Sequence, residues 1–259
     1  LLQYYTDSVS LLAMDTSFND NIVYLKLGKN MQDNSAKGFY WDLGGNYIAS
    51  GNHQGDYFID GNFAYVFKNK IRISFTSENS FRSVPFIYSR YASNHFLWKK
   101  SFDKETISKR KLSFNDLKHK FILGADMTQI INYVYLDSTF TPVAYNGRDA
   151  ITLYSVFLQK NFHLKHFGFN NNITWQSASA PMKGLEESAI HLPEFVTHHS
   201  LFYQGKWFRK ATDVQIGFDV AYFSSYYADA YMPALGLYYW QNEKQIGNYP
   251  FIDFFFNMK

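Results

Sequence analysis

Asp213-Val214-Gln215-Ile216-Gly217-Phe218-Asp219-Val220-Ala221-Tyr222 alternates from end to end. Val214, Ile216, Phe218, Val220 and Tyr222 are apolar, while Asp213, Gln215, Gly217, Asp219 and Ala221 between them are polar or small. Successive side chains of a β-strand point to opposite faces, so one face of this stretch meets an apolar medium and the other a polar one. A tilted strand needs about 9–11 residues to cross a bilayer, whereas soluble strands average about 5–6. The length of the run therefore favours a membrane-crossing strand over a strand of a soluble sandwich.

The same period recurs on both sides. Ile252, Phe254, Phe256 and Met258 alternate with Asp253, Asn257 and Lys259, with Phe255 breaking the polar side. Phe167, Phe169, Ile173 and Trp175 share a face interrupted by Asn171. Ile71, Ile73 and Phe75 oppose Arg72, Ser74 and Thr76, and Tyr57, Ile59, Phe63, Tyr65 and Phe67 oppose Asp56, Asp60 and Asn62. About twelve strands follow from this reading, near 21–28, 38–49, 57–67, 70–79, 84–99, 116–136, 149–160, 163–177, 195–207, 212–224, 231–241 and 249–259. The stretch Lys183 to Ser188 alone suggests a short helical turn. Tight links are expected at Phe67–Lys70, Asn161–Lys165 and Phe208–Ala211, and longer loops at 137–148, 178–194 and 225–230. Alternation of short and long connections is a habit of antiparallel membrane barrels.

Composition supports this class. Aromatic residues make up 20% of the chain, with 26 Phe and 21 Tyr, and barrels place such rings at both water–lipid boundaries. An aromatic-rich soluble sandwich is the competing reading, because strands favour aromatics in either setting. A net charge of +3 with interspersed signs gives no basic stripe for nucleic acid. Cysteine is absent, which excludes disulfides and thiolate metal sites. No apolar run reaches the 18 or more residues of a membrane helix. Mean hydropathy is slightly negative, but that test averages away the apolar half of a barrel strand.

Assigned by alternation, the polar, lumen-facing set is Lys26, Asp42, Asp60, Arg72, Asp213, Gln215, Asp219, Asp253, Asn257 and Lys259. The lipid-facing set is Val214, Ile216, Phe218, Val220, Tyr222, Phe254 and Phe256. The charged lumen residues comprise five acids against three bases, which predicts a mild cation preference. Ser93-Asn94-His95 holds the residue types of a hydrolase barrel, but strand neighbours point apart, so no catalytic site is expected. His198-His199 is split between faces in the same way, so no metal site and no cofactor are expected. The glycines of Gly44-Gly45 lack the Lys-Ser/Thr of a phosphate loop.

The final third carries a more specific signal. His191-Leu192-Pro193-Glu194-Phe195, Trp207-Phe208-Arg209-Lys210-Ala211, Tyr231-Met232-Pro233-Ala234 and Ile246-Gly247-Asn248-Tyr249-Pro250 followed by Ile252-Asp253 stand in one order. Upstream, Ser93-Asn94-His95-Phe96-Leu97-Trp98 and Ile131-Asn132-Tyr133-Val134-Tyr135 fit the same pattern. With these runs the chain resembles the Putative porin family of Bacteroidetes outer membranes. The resemblance implies an outer-membrane β-barrel, with outer-membrane lipid as its surroundings and solute passage as an implied function. It also implies further chain beyond Lys259 and before Leu1, with about fourteen strands once a last hairpin is added. Residues 1–259 are thus expected to form one barrel domain, incomplete at both ends. A channel for small solutes is the first expected function. A scaffold barrel bound to other outer-membrane or lipoprotein subunits is the second.

Overall fold

The computed structural model describes residues 18–29, 37–68, 70–145, 150–179 and 188–259. Asp20–Lys29 forms β1, Gly38–Gly51 β2, Tyr57–Val66 β3 and Ile71–Arg82 β4. The chain then leaves the wall for a helical turn, α1 (Phe86–Ser89), and a ribbon of β5 (Arg90–Ala92) and β6 (Leu97–Lys99). It returns as β7 (Glu105–Asp116) and β8 (Phe121–Ile131). A second ribbon, β9 (Val134–Leu136) with β10 (Pro142–Ala144), precedes β11 (Ile151–Leu164), β12 (Phe167–Ser179), β13 (Phe195–Trp207) and β14 (Thr212–Phe223). The last excursion holds β15 (Tyr226–Tyr227), β16 (Ala230–Met232), β17 (Leu237–Tyr239) and β18 (Gln245–Ile246), after which the chain rejoins the wall as β19 (Pro250–Met258).

Eleven of these strands make one antiparallel sheet in the order β1-β2-β3-β4-β7-β8-β11-β12-β13-β14-β19. Every neighbour in the sheet is the next wall strand in the chain, the meander expected of an up-and-down barrel. Wall strands run from nine residues in β19 to fourteen in β2 and β11. Among the described residues no ladder joins β1 to β19, so the sheet is seen open rather than as the closed barrel expected.

The segments 84–99 and 231–241 are not wall strands; they fold into the small ribbons instead. Glu105–Asp116 is a wall strand that alternation missed, because Lys109-Arg110-Lys111 reads as a solvated charge run. The segment 116–136 divides into the end of β7, a turn, β8 and β9. The link expected at Asn161–Lys165 lies at 165–166, since β11 continues to Leu164. Residues 183–187 of the suggested helical turn lie outside the described residues.

From β3 onward, connection lengths segregate by end. Short links at 67–70, 117–120, 165–166 and 208–211 lie at one end, and the longer segments 83–104, 132–150, 180–194 and 224–249 at the other. The tight turns place Lys70, Lys120, Lys165, Phe208, Arg209 and Lys210 at positive φ, without the Gly or Asn that usually marks such positions.

Glycine gives the polar side of the wall a particular packing. Phe202, buried, stands opposite Gly168 on one side and Gly217 on the other. A Cβ on Gly168 would lie within the Phe202 ring, and Gly124 faces Phe157 in the same way. The rings therefore lie flat along the wall instead of standing out from it. Gly168→Val is expected to displace Phe202 and cost about 1–3 kcal/mol, the usual scale of overpacking. Urea unfolding of the detergent-folded protein measures it, and a loss under 0.5 kcal/mol would contradict this packing.

Candidate functional site

The registers divide the wall cleanly into two faces, because directly opposed residues share a face. Val214, Ile216, Phe218, Val220 and Tyr222 of β14 stand opposite Gly205, Tyr203, Leu201, His199 and Thr197 of β13. On the other side they meet Met258, Phe256, Phe254, Ile252 and Pro250 of β19. Followed strand by strand, this face takes in Trp175, Val156, Leu123, Leu112, Phe75, Phe63, Leu43 and Leu27. Phe218 is 50% exposed and Phe254 59%, their rings 5.4 Å apart, and no described element covers them. A mainly apolar exposed face that runs across eleven strands exceeds the scattered apolar patches of soluble monomers. Val214 departs from the pattern: it shares the face but is fully buried.

Aromatic side chains gather toward both ends of this face. Tyr47, Tyr57, Phe81, Trp175, Phe195 and Tyr222 stand toward the long-loop end, and Phe39, Phe114, Phe121, Phe167, Tyr203 and Trp207 toward the short-turn end. The Tyr222 hydroxyl donates to Asn248 Oδ1 at 3.0 Å, tying the wall to the loop beyond it.

The opposite face is polar. Lys26, Asp42, Asp60, Arg72, Asp213, Gln215, Asp219, Asp253 and Asn257 all lie on it, and Lys259 joins them by exchanging backbone hydrogen bonds with Asp213 at 2.9 Å. Asn62 Nδ2 donates to Asp42 at 2.9 Å, and Thr76 Oγ1 donates on to Asn62 at 2.8 Å. Lys206 pairs with Asp213 at 3.0 Å. Asp60 stands opposite Glu78, and Asp219 stands opposite Asp253, two juxtapositions of like charge that a wall built for stability alone avoids. The same face adds Glu78, Glu105 and Asp126 to the five acids, and Arg82, Lys109, Lys111 and Lys206 to the three bases. Eight acids against seven bases is nearly balanced, so the acidic lean read from the sequence narrows.

The long-loop end of the polar face is covered. Ile151 and the partly buried Ile130 and Leu153 are polar-face residues, and they pack with Ala189, Trp240 and Tyr133. A neighbouring cluster joins Trp98, Leu136 and Leu235 from three different loops. Trp240 donates from its backbone to Leu136 O at 2.8 Å and from its indole to Ser188 O at 3.0 Å. Tyr91 Oη reaches Ala234 O at 3.1 Å, across 143 residues of chain. At the root of this cap, Glu105 is buried, receives Arg82 Nε and Nη2 at 3.0 and 2.9 Å, and accepts the Val134 N–H at 3.2 Å. The long connections thus form one packed cap across the polar side.

Two motifs fall into ordinary places. Ser93 Oγ accepts the Phe96 N–H at 3.1 Å inside the β5–β6 hairpin, a turn contact. His198 lies on the polar face, and His199 lies on the apolar one with Nδ1 2.8 Å from Asn171 Oδ1.

A family model described as "Putative porin" matches residues 3–259. The chain belongs to this family. The match runs through the whole length, beyond the final third where the quoted motifs cluster. No curated protein matches the chain. Family and fold agree on an all-β, antiparallel, porin-like architecture. The cap and the contacts of Glu105 were not legible in the sequence, since they depend on segments meeting across long separations, and β7 was missed because Lys109-Arg110-Lys111 reads as a charge run.

Burial pushes the cap phenols of Tyr133, Tyr88 and Tyr135 up, helped at Tyr133 and Tyr88 by the Asp229 and Glu105 carboxylates and at Tyr135 by Asp137. A raised phenol stabilises the packed cap below the ordinary tyrosine value of about 10 and loses that contribution as pH climbs above it. Absorbance at 295 nm is expected to show a late-titrating tyrosine group whose ionisation coincides with a change in tryptophan fluorescence. A single titration near the ordinary value would contradict this.

Proposed function

We propose that this family member is an outer-membrane β-barrel serving as a passive diffusion channel for small solutes. On this reading the apolar face meets lipid and the polar face lines a water-filled lumen. The observation that carries it is the division of eleven strands into one mainly apolar exposed face and one charged face. Such a wall satisfies its backbone by strand pairing, as a membrane requires once the sheet is closed. The cap narrows the lumen at its long-loop end, which in the usual orientation is the extracellular one.

With charges nearly balanced, selectivity follows local placement. Among the described residues, Asp219 and Asp253 face each other without a base opposite either of them on the wall. A small cation preference is expected in planar bilayers, read as a reversal potential in a salt gradient. The double variant Asp219→Asn, Asp253→Asn should abolish that preference while leaving conductance within about twofold. An anion-selective wild type would contradict the assignment. A scaffold role remains the second reading, favoured by the packed cap as a docking surface. Stoichiometric co-purification with a lipoprotein and no conductance would support it over the channel.

A further inference from the structure

The apolar face carries a polar inset that neither the lumen nor the cap uses. Its apolar run stops at Phe75 on β4 and Leu112 on β7, and toward the long-loop end the same face bears Ser77, Asn79, Ser108 and Arg110. Arg110 stands mid-strand, opposite Ser77 and Met127. Its Nη1 donates to the backbone oxygens of Lys109 and Glu78 at 2.9 and 3.3 Å, and its Nη2 to Asn79 Oδ1 at 3.1 Å. Ser108 Oγ donates to the same Asn79 oxygen at 2.8 Å. All these acceptors are neutral, and among the described residues no carboxylate pairs with Arg110. A guanidinium has five N–H donors, so part of its fork is left unspent.

Beside it lies a hollow of about 630 Å³ lined by Val23, Gly45, Tyr47, Tyr57 and Ile59, with Asn79 and Ser108 at its polar edge. The missing side chain of Gly45 helps to open it. A cation without a counter-charge is costly on a lipid-facing wall, and a phosphate is the planar fork's natural bidentate partner.

We infer that this hollow is a lipid site, which takes a membrane lipid with a phosphate-bearing headgroup. The phosphate sits on Arg110 beside Ser108, and an acyl chain lies along Val23, Tyr47, Tyr57 and Ile59. The inference rests on the proposal that the apolar face meets lipid.

Native mass spectrometry of the delipidated full chain in detergent, titrated with phosphatidylglycerol, diacylglycerol or inorganic phosphate, tests it. Wild type should retain one phosphatidylglycerol and no diacylglycerol. Arg110→Gln should weaken the phospholipid by about tenfold or more, the scale of a charge-assisted pair. Ile59 is 54% exposed, so Ile59→Trp fills the hollow without crowding the wall. It should weaken the phospholipid while sparing inorganic phosphate. Equal phospholipid retention by wild type and Arg110→Gln would overturn the site, as would inorganic phosphate displacing the lipid at equal concentration. A chain that stays monodisperse without detergent would instead remove the membrane reading beneath it.

Discussion

Trp240→Ala is expected to open the cap while leaving the wall folded. Trp240 is nearly buried and packs with Ile151 and Ala189, with His191 at a ring distance of 5.3 Å. Its two hydrogen bonds run to different loops, at Leu136 and at Ser188. Truncation removes one of those bonds and leaves a cavity, together costing about 3–5 kcal/mol for a core tryptophan. The wall strands keep their ladders, so the loss falls on the cap alone. A free-energy change of that size moves a two-state element from mostly closed to mostly open. Limited proteolysis should then cut within 224–249, and single-channel conductance should rise, with heat-modifiability on detergent gels unchanged. Unchanged protection of the loops would show that the cap does not depend on this joint.

Phe218→Arg is the second large effect, and it acts on the opposite face. Phe218 is half exposed at the middle of β14, edge to face with Phe254 and opposite Leu201. A cation near the bilayer midplane of a barrel's outer face costs about 2–4 kcal/mol, and much less near the interfaces. Gln215→Arg, three residues away on the polar face, should cost under about 0.5 kcal/mol as an ordinary surface change. Unfolding in lipid vesicles compares the two variants. The asymmetry is the content of the prediction: equal costs would mean that both faces see the same medium.

Much of the wall could be read from the chain alone, for a physical reason. A wall one residue thick with one apolar and one polar face writes both into every second residue, so β14 and β19 declared themselves through Val214 to Tyr222 and Ile252 to Met258. The assigned polar and apolar sets fall on opposite faces for the same reason, with Val214 buried rather than exposed. Alternation failed where a second demand overrode it. In β7, Thr106, Ser108 and Arg110 stand on the apolar face and Lys109 and Lys111 on the polar one, so both faces look hydrophilic in sequence. Loop ribbons failed in the opposite sense. Segments 84–99 and 231–241 are rich in aromatics because they pack against one another in the cap, and that burial imitates a wall strand. The cap itself has no local signal, since Tyr91 and Ala234 or Glu105 and Val134 meet only after the wall has formed. The turn at 208–211 was legible from the break in alternation even though Phe208, Arg209 and Lys210 take positive φ without glycine or asparagine.

The central claim is a wall with lipid on one side and water on the other. The chain contains no cysteine, so single cysteines carrying spin labels can be placed at each position from Asp213 to Tyr222 without background. In reconstituted bilayers, collision with lipid-soluble oxygen should peak at 216, 218 and 220, and collision with a water-soluble nickel chelate at 215, 217 and 219. Two in-phase profiles, or a flat one, would contradict the account.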